Sequence, residues 1–275
     1  MATRTRSKPA PGPKEWPAFQ ALIGAPAATP GTLARVIAFA GQKGGTGKSL
    51  LAQGFAVEVA RQSAAVVLVD LDLHQQTSFE WAQARRLNKY RPQVCAALID
   101  PALHPDFGLG AARRGLETLV VDAPGWSDER TLRLAALADL MILPATPSIA
   151  DLRPTIRLVQ DLTAQGIAGG KLVIVFNQVR AESELAFARP YLQEAGLAAL
   201  PESLRALVRY RSLQNVGRGV TEADTAAIKK EAKAVMAALA QRLGETAAPQ
   251  AEERFKLASE RFTLPAPEPT KRRRR

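Results

Sequence analysis

Apolar residues in this chain come in short unbroken runs separated by longer stretches of mixed pattern. "RVIAFAG" (35–41), "AVVLVDLD" (65–72), "ETLVVDAPG" (117–125), "DLMILPATP" (139–147) and "KLVIVFNQV" (171–179) are the clearest of them. A short apolar run without alternation fits a strand buried on both faces, as in parallel sheets. Between the runs, "SLLAQGFAVEVARQ" (49–62) has the spacing of a helix, and 127–138, 149–165 and 183–195 read the same way. A last helix is predicted over 222–243, with "TEAD" (221–224) as its cap region. Strand and helix alternate, which predicts the α/β class: a doubly wound, largely parallel sheet with helices on both faces. In such sheets ligands sit at the carboxyl ends of the strands. Each candidate motif below falls there.

Both ends depart from this pattern. Residues 1–33 are rich in Pro, Ala and Gly and read as a flexible lead; its small apolar island "EWPAFQALIG" (15–24) is expected to pack on the body. Residues 244–275 are again rich in Pro and charge and read as a flexible tail. The span between them, 34–243, is predicted to be one domain.

Charge sharpens this division. The net charge is +11 over 275 residues. Arg4, Arg6, Lys8 and Lys14 stand at one end and "KRRRR" at the other, so the body is nearly neutral and the ends are basic. A basic tail attracts polyanions, either nucleic acid or an anionic membrane surface; a solvated end that aids solubility explains it equally well. The one cysteine, Cys95, excludes an intramolecular disulfide and fits a reducing cytosol. No apolar run approaches the ~20 residues of a membrane span. The N-terminal stretch lacks the apolar segment of a secretory signal.

The chemistry is concentrated in "FAGQKGGTGKSLLAQ" (39–53). The usual phosphate-binding loop reads G-x-x-x-x-G-K-[ST] between a strand and a helix. Here its first glycine is replaced by Gln42, and a second lysine, Lys43, precedes the glycines. Backbone N–H groups of Gly44, Gly45, Thr46 and Gly47 can point at phosphates, aided by the positive end of the following helix. Lys48 is placed for the β- and γ-phosphates and Ser49 for Mg²⁺, with Leu50 next along the same wall. Three acids end two of the strands. Asp122 is placed to hold Mg²⁺ directly or through water. Asp72 could also lie near the metal and could orient or activate a water, while Asp70 is expected to cap the next loop or helix. The two histidines, His74 and His104, are isolated, and neither suggests a metal site.

"KGGTGKS" (43–49) resembles the deviant Walker A motif, K-G-G-x-G-K-[ST], of ParA/MinD-type ATPases. The likeness runs over roughly residues 34–243. "VLVDLDLHQQTS" (67–78) is similar to that family's switch I, D-x-D-P-Q-G-S, with Leu73 where proline is usual and one residue inserted before "QTS", so that either Gln75 or Gln76 takes the glutamine's place. "VVDAPG" (120–125) resembles Walker B and switch II, and "PATPSIADL" (144–152) resembles the P-x-x-P-S-x-x-D segment of the ParA branch. "VFNQV" (175–179) resembles the segment whose asparagine, here Asn177, contacts adenine. "LVRYRSLQNVGRGVTE" (207–222) resembles the stretch before the last helix.

The resemblance implies an ATPase with ATP and Mg²⁺ as cofactors. It implies a homodimer when ATP is bound, with Lys43 reaching the partner's phosphates. Within the family, the single cysteine disfavours iron–sulfur members, and the lead is too short for an operator-reading helix-turn-helix domain. The membrane-bound MinD-like branch is the alternative; its candidate, "AEERFKLASERFTLP" (251–265), lacks a clean helical stripe. The favoured reading is the small ParA-like type: a cytoplasmic, nucleoid-associated protein that binds DNA without sequence preference and answers to a ParB-like adaptor or cargo protein. Candidate DNA contacts are Arg205, Arg209, Arg211, Arg218, Lys229, Lys230 and Lys233, the three lysines sharing a helix face. A metabolic or maturation enzyme on the same fold would need a substrate constellation of its own, and the sequence offers none.

Overall fold

The computed structural model describes residues 35–62, 65–102, 104 and 118–246. The lead, its apolar island, the basic C-terminal run and the 251–265 segment all lie outside the described residues. The elements are β1 (Arg35–Phe39), α1 (Lys48–Arg61), β2 (Val66–Asp70), α2 (Thr77–Leu87), β3 (Cys95–Leu98), β4 (Thr118–Asp122), α3 (Glu129–Leu137), β5 (Leu140–Ala145), α4 (Ile149–Ala164), β6 (Leu172–Val179), α5 (Glu182–Glu194), β7 (Ala199–Arg205), α6 (Val208–Asn215) and α7 (Ala226–Glu245). The seven strands form one sheet in the order β3-β2-β4-β1-β5-β6-β7. Every pairing is parallel.

The apolar runs explain the layers. Alternate residues of each inner strand enter opposite cores, so both parities must be apolar. Val36 and Ala38 join Leu134 of α3, Leu152 of α4 and Leu185 of α5 on one face. Ile37 and Phe39 join Leu51 and Phe55 of α1, Trp81 of α2 and Val235 of α7 on the other. Phe39 and Phe55 meet at 6.1 Å between ring centroids. Burying a side chain of this size contributes ~2 kcal/mol, so the sheet's two faces carry most of the fold's stabilisation.

The five runs singled out in the sequence are the five inner strands. The two edge strands, "CAAL" and "ALPESLR", were not anticipated, nor were α2 and α6. The last helix also starts later than predicted, at Ala226, with Thr225 as its cap position. Thr221 and Glu222 of the "TEAD" region instead belong to a 3₁₀ turn, Val220–Glu222, in which the Glu222 carboxylate accepts from the Gly219 N–H at 2.7 Å.

Candidate functional site

The site lies at the carboxyl ends of β1, β2, β4 and β6, where the chain leaves the sheet. After β1 it turns through Gly41 to Gly47 before α1 begins at Lys48. Gly47 has φ +94, and a Cβ there would come within 1.9 Å of the Asn177 amide nitrogen, so conformation and space both demand glycine. A Cβ at Gly44 or Gly45 would meet nothing within 4 Å, so this side of the loop is open to a ligand. Lys48 is buried and donates to the Lys43 carbonyl at 2.7 Å. Burial pushes its pKa down, while the charges of Asp122 and Asp72 pull it back up.

Facing the loop are two buried carboxylates from neighbouring strands. Asp70 and Asp122 stand opposite each other in the β2–β4 register. Asp70 is almost fully consumed by backbone. Its Oδ2 accepts from Ser78 N (2.8 Å) and Phe79 N (3.0 Å), and its Oδ1 accepts from Asp72 N (2.9 Å). It therefore caps α2, the role expected for it. Asp122 differs. The Ser78 hydroxyl donates to its Oδ2 at 2.7 Å, but its Oδ1 is buried with no partner among the described residues. Burial and the Asp70 charge raise its pKa to about 7, against the pull of the Ser78 and Ser49 hydroxyls and Lys48. A buried carboxylate whose pKa is raised by burial and a neighbouring acid, standing beside a buried lysine and a glycine loop, is the kind of perturbed group that gathers at functional sites.

A cavity of about 400 Å³ opens over these groups. Of the residues singled out from sequence, Gly44, Gly45, Gly47, Lys48, Ser49, Leu50, Asp72, Asp122 and Asn177 line it. Thr46 is buried behind the loop and Lys43 is exposed beside it, with its ammonium 3.7 Å from Asp151. Asp72 accepts from the N–H groups of His74 and Gln75, which shapes the turn into α2. Gln75 reaches the cavity. Gln76 instead takes a left-handed conformation at the start of α2 and folds its amide back onto the Leu73 carbonyl. Asn177 donates its amide to the Thr46 carbonyl at 2.7 Å, and its Oδ1 is buried with no partner among the described residues.

The seven cations proposed for DNA are divided rather than gathered. Arg205 is held by Glu231 at 2.6 Å and borders the cavity, as does Arg211. Arg209 and Arg218 both pair with Asp224. Lys229, Lys230 and Lys233 are exposed on α7 and carry no ion pair among the described residues. The far wall of the cavity is made by Leu207, Tyr210, Arg211 and Gln214, of which sequence reasoning named only Arg211, and as a DNA contact. Their i, i+3, i+4, i+7 spacing marks one face of a helix, but α6 is too short for that periodicity to stand out. Gln178 and Gly125 were missed as well.

The donor set fits a nucleotide with its magnesium. Among the described residues no group of three or more His, Cys, Asp or Glu converges on one point. Ser49 and Asp122 alone could not cage a cation, but Mg²⁺ is commonly held by one carboxylate, phosphate oxygens and water. No described helix is long and apolar enough to cross a membrane.

Residues 37–248 match the model of the CobQ/CobB/MinD/ParA nucleotide binding domain. No curated protein matches the chain by sequence. Among solved structures, an ATP complex of McdA from Cyanothece is similar over 76% of this chain and 98% of its own, at 17% identity and a TM-score of 0.62. A plasmid partition protein from Borrelia burgdorferi bound to AMPPNP aligns over 76% and 99%, at 13% identity and a TM-score of 0.59. The septum site-determining protein MinD of Pyrococcus horikoshii, complexed with Mg-ADP, aligns over 84% and 100%, at 18% identity and a TM-score of 0.56.

Proposed function

This chain belongs to the CobQ/CobB/MinD/ParA nucleotide-binding domain family, and from that premise we propose that it is a Mg²⁺-dependent ATPase of the partition and positioning kind, dimeric and DNA-bound in its ATP state. The observation that carries the reading is Asp122. It is a buried carboxylate with an unpartnered oxygen, facing a glycine loop and a buried lysine across a cavity of nucleotide size.

The residues divide the work. N–H groups of Gly44 to Ser49 and the start of α1 receive the phosphates. Lys48 exchanges the Lys43 carbonyl for phosphate oxygens. Ser49 and Asp122 would hold Mg²⁺, which would supply charge neutralisation at the phosphates. Asp72, fixed by its turn into α2, orients the attacking water. Asn177 turns its free Oδ1 toward the base. Lys43 sits half-exposed at the rim, paired only loosely with Asp151, and can leave to complete the site of a second copy. The solved neighbours hold ATP, AMPPNP and Mg-ADP, which supports the cofactor assignment.

On this reading the dimer presents two sets of Lys229, Lys230 and Lys233 to phosphate backbone, and two weak patches linked together bind far more tightly than one. A ParB-like adaptor stimulates hydrolysis, the dimer parts and DNA is released. The protein is then cytoplasmic and nucleoid-associated. Co-sedimentation with non-specific duplex DNA and with anionic liposomes, each with ADP and with ATP, tests this directly. DNA binding that needs ATP and is lost in Lys43→Ala is the expected result. ATP-dependent liposome binding without a DNA response would overturn it in favour of a membrane-positioning protein.

A further inference from the structure

β6 does not keep the alternation of a strand to its end. Val173 and Val175 enter the core beneath α1, and Ile174 and Phe176 enter the opposite core. Val179 should then lie with Val173 and Val175, yet it packs with Ile174 and Phe176. The pairing with β7 shows why. Phe176 pairs with Ser203 and Val179 with Arg205, so β6 spends three steps where β7 spends two. One extra residue is inserted here, which is a β-bulge. Its backbone mark is Gln178, whose φ is +59.

The bulge sends two consecutive side chains to the same place. In a regular strand Asn177 and Gln178 would point to opposite faces. Here Asn177 donates to the Thr46 carbonyl at 2.7 Å and Gln178 donates to the Gly45 carbonyl at 2.5 Å. Two amides therefore grip two successive peptide groups of the glycine loop. In a trans peptide the N–H points away from the C=O. Holding the carbonyls of Gly45 and Thr46 against β6 thus turns the N–H groups of Thr46 and Gly47 the other way, which on the nucleotide reading is toward the phosphates. Left-handed backbone disfavours a glutamine and suits a glycine. A side chain kept at such a point, at the rim of a cavity, suggests a function for the side chain itself.

We propose that Gln178 is a positioning residue for nucleotide binding: it presets the glycine loop through the Gly45 carbonyl, and the bulge in β6 exists to bring it there. This rests on the nucleotide reading of the site. The test is to separate the backbone conformation from the amide. Gln178→Gly relaxes the left-handed turn and removes the amide; Gln178→Ala removes the amide and leaves the turn strained. Binding of Mg-ADP and Mg-ATP would be measured by calorimetry, with thermal unfolding in the absence of nucleotide as the control for folding.

The expected result is a split. Gln178→Gly unfolds at the wild-type temperature or above, yet binds nucleotide roughly threefold to tenfold more weakly, the size of one lost hydrogen bond. Gln178→Ala binds as weakly and unfolds earlier. Steady-state hydrolysis shows a raised KM with kcat at saturation held within about twofold, as expected when uniform binding is lost. Wild-type affinity in Gln178→Gly overturns the inference, because the residue is then only a turn-former. A lowered kcat with unchanged KM overturns it too, because the amide would then act in the chemistry. A wild-type protein that binds no nucleotide overturns the proposed function itself, a result read before any variant is made.

Discussion

The molecule buries charge in two places and treats it in opposite ways. At the glycine loop, Asp70, Asp122 and Lys48 share a pocket in which Asp122 has an unpartnered oxygen and a pKa raised to about 7. At the junction of α1, α2 and the 3₁₀ turn before α7, Arg85 and Glu222 share another. There the side chain of Arg85 is fully buried, and its guanidinium donates to both Glu222 oxygens (2.6 and 3.0 Å), to Gly217 O (3.0 Å) and to Pro92 O (2.7 Å). Glu222 also accepts from Arg61 and from Gly219 N. Burial pushes the Glu222 pKa up, but the Arg85 hydrogen bonds, the Gly219 N–H and the charges of Arg85 and Arg61 outweigh it, and the net shift is downward. The second cluster is electrostatically closed. The first opens onto the cavity, where one Asp122 oxygen has no partner among the described residues. Buried charge with complete partners locks elements together, whereas buried charge without them marks a binding site.

The sharpest way to break this contrast is to open the closed cluster. Glu222→Ala leaves the Arg85 guanidinium buried without its carboxylate, and should cost ~3–5 kcal/mol in urea unfolding. The double variant Arg85→Met with Glu222→Leu should lose less than either single change, because no charge is left stranded. If Glu222→Ala unfolds like wild type, the cluster is not the lock described. Gly217 reinforces it: with φ +81 and a Cβ that would come within 2.2 Å of Arg85 N, it lets the two backbones touch.

The open cluster should respond in the other direction. Asp122→Asn keeps an acceptor for Ser78 and removes a carboxylate that burial and Asp70 both oppose. Without nucleotide it should raise the unfolding temperature, by about 3 °C or more, while removing the Mg²⁺ dependence of nucleotide binding. Loss of both stability and binding would mean that Asp122 is already well satisfied in the empty protein.

The same contrast predicts opposed pH slopes, of smaller size. Asp122 has a folded pKa above its unfolded 3.8, so the folded state holds the proton longer. Stability from this group falls as pH rises from about 4 to about 7 and is flat above. Glu222 has a folded pKa below its unfolded 4.5, so its contribution is present above that value and is lost as pH falls below it. Unfolding in chelator between pH 4 and pH 8 should therefore show a fall toward neutrality in wild type, reduced in Asp122→Asn. An identical slope in both proteins would remove Asp122 as its source.

What the sequence disclosed follows the same physics. The inner strands were legible because burial on both faces leaves short unbroken apolar runs, as in "VVLV" and "LVV". The edge strands β3 and β7 were not, because each has half-exposed positions; "ALPESLR" carries a proline and two charges. The loop, Lys48, Ser49 and Asp122 were legible from local spacing. The far wall of the cavity was not, because Tyr210, Arg211 and Gln214 lie more than 30 residues after Asn177 and come back to it only through the crossover to β7. Nor was the pairing of Arg205, Arg209 and Arg218, since Glu231 and Asp224 are acids whose partners depend on how α6 and α7 dock. Charge counted along a sequence overstates the free charge on a surface.

A third ion pair completes the series with the smallest expected change in stability. The Lys43 ammonium lies 3.7 Å from an Asp151 oxygen, and the lysine side chain is 51% exposed. Such pairs contribute little in water, so Lys43→Ala should shift unfolding by less than ~0.5 kcal/mol. Asp151 has its own support, accepting from the Thr146 hydroxyl at 2.6 Å, so removing the lysine strands no buried group. The two partners can then be told apart by assembly alone. If Lys43 is held by Asp151 until a second copy offers its phosphates, Lys43→Ala abolishes ATP-dependent dimerisation in sedimentation velocity. Asp151→Asn should do the reverse and promote it, since it removes the competitor without removing the cation. Equal loss of dimer in both variants would instead put Asp151 in the interface, and the pair would belong with the locks rather than with the open site.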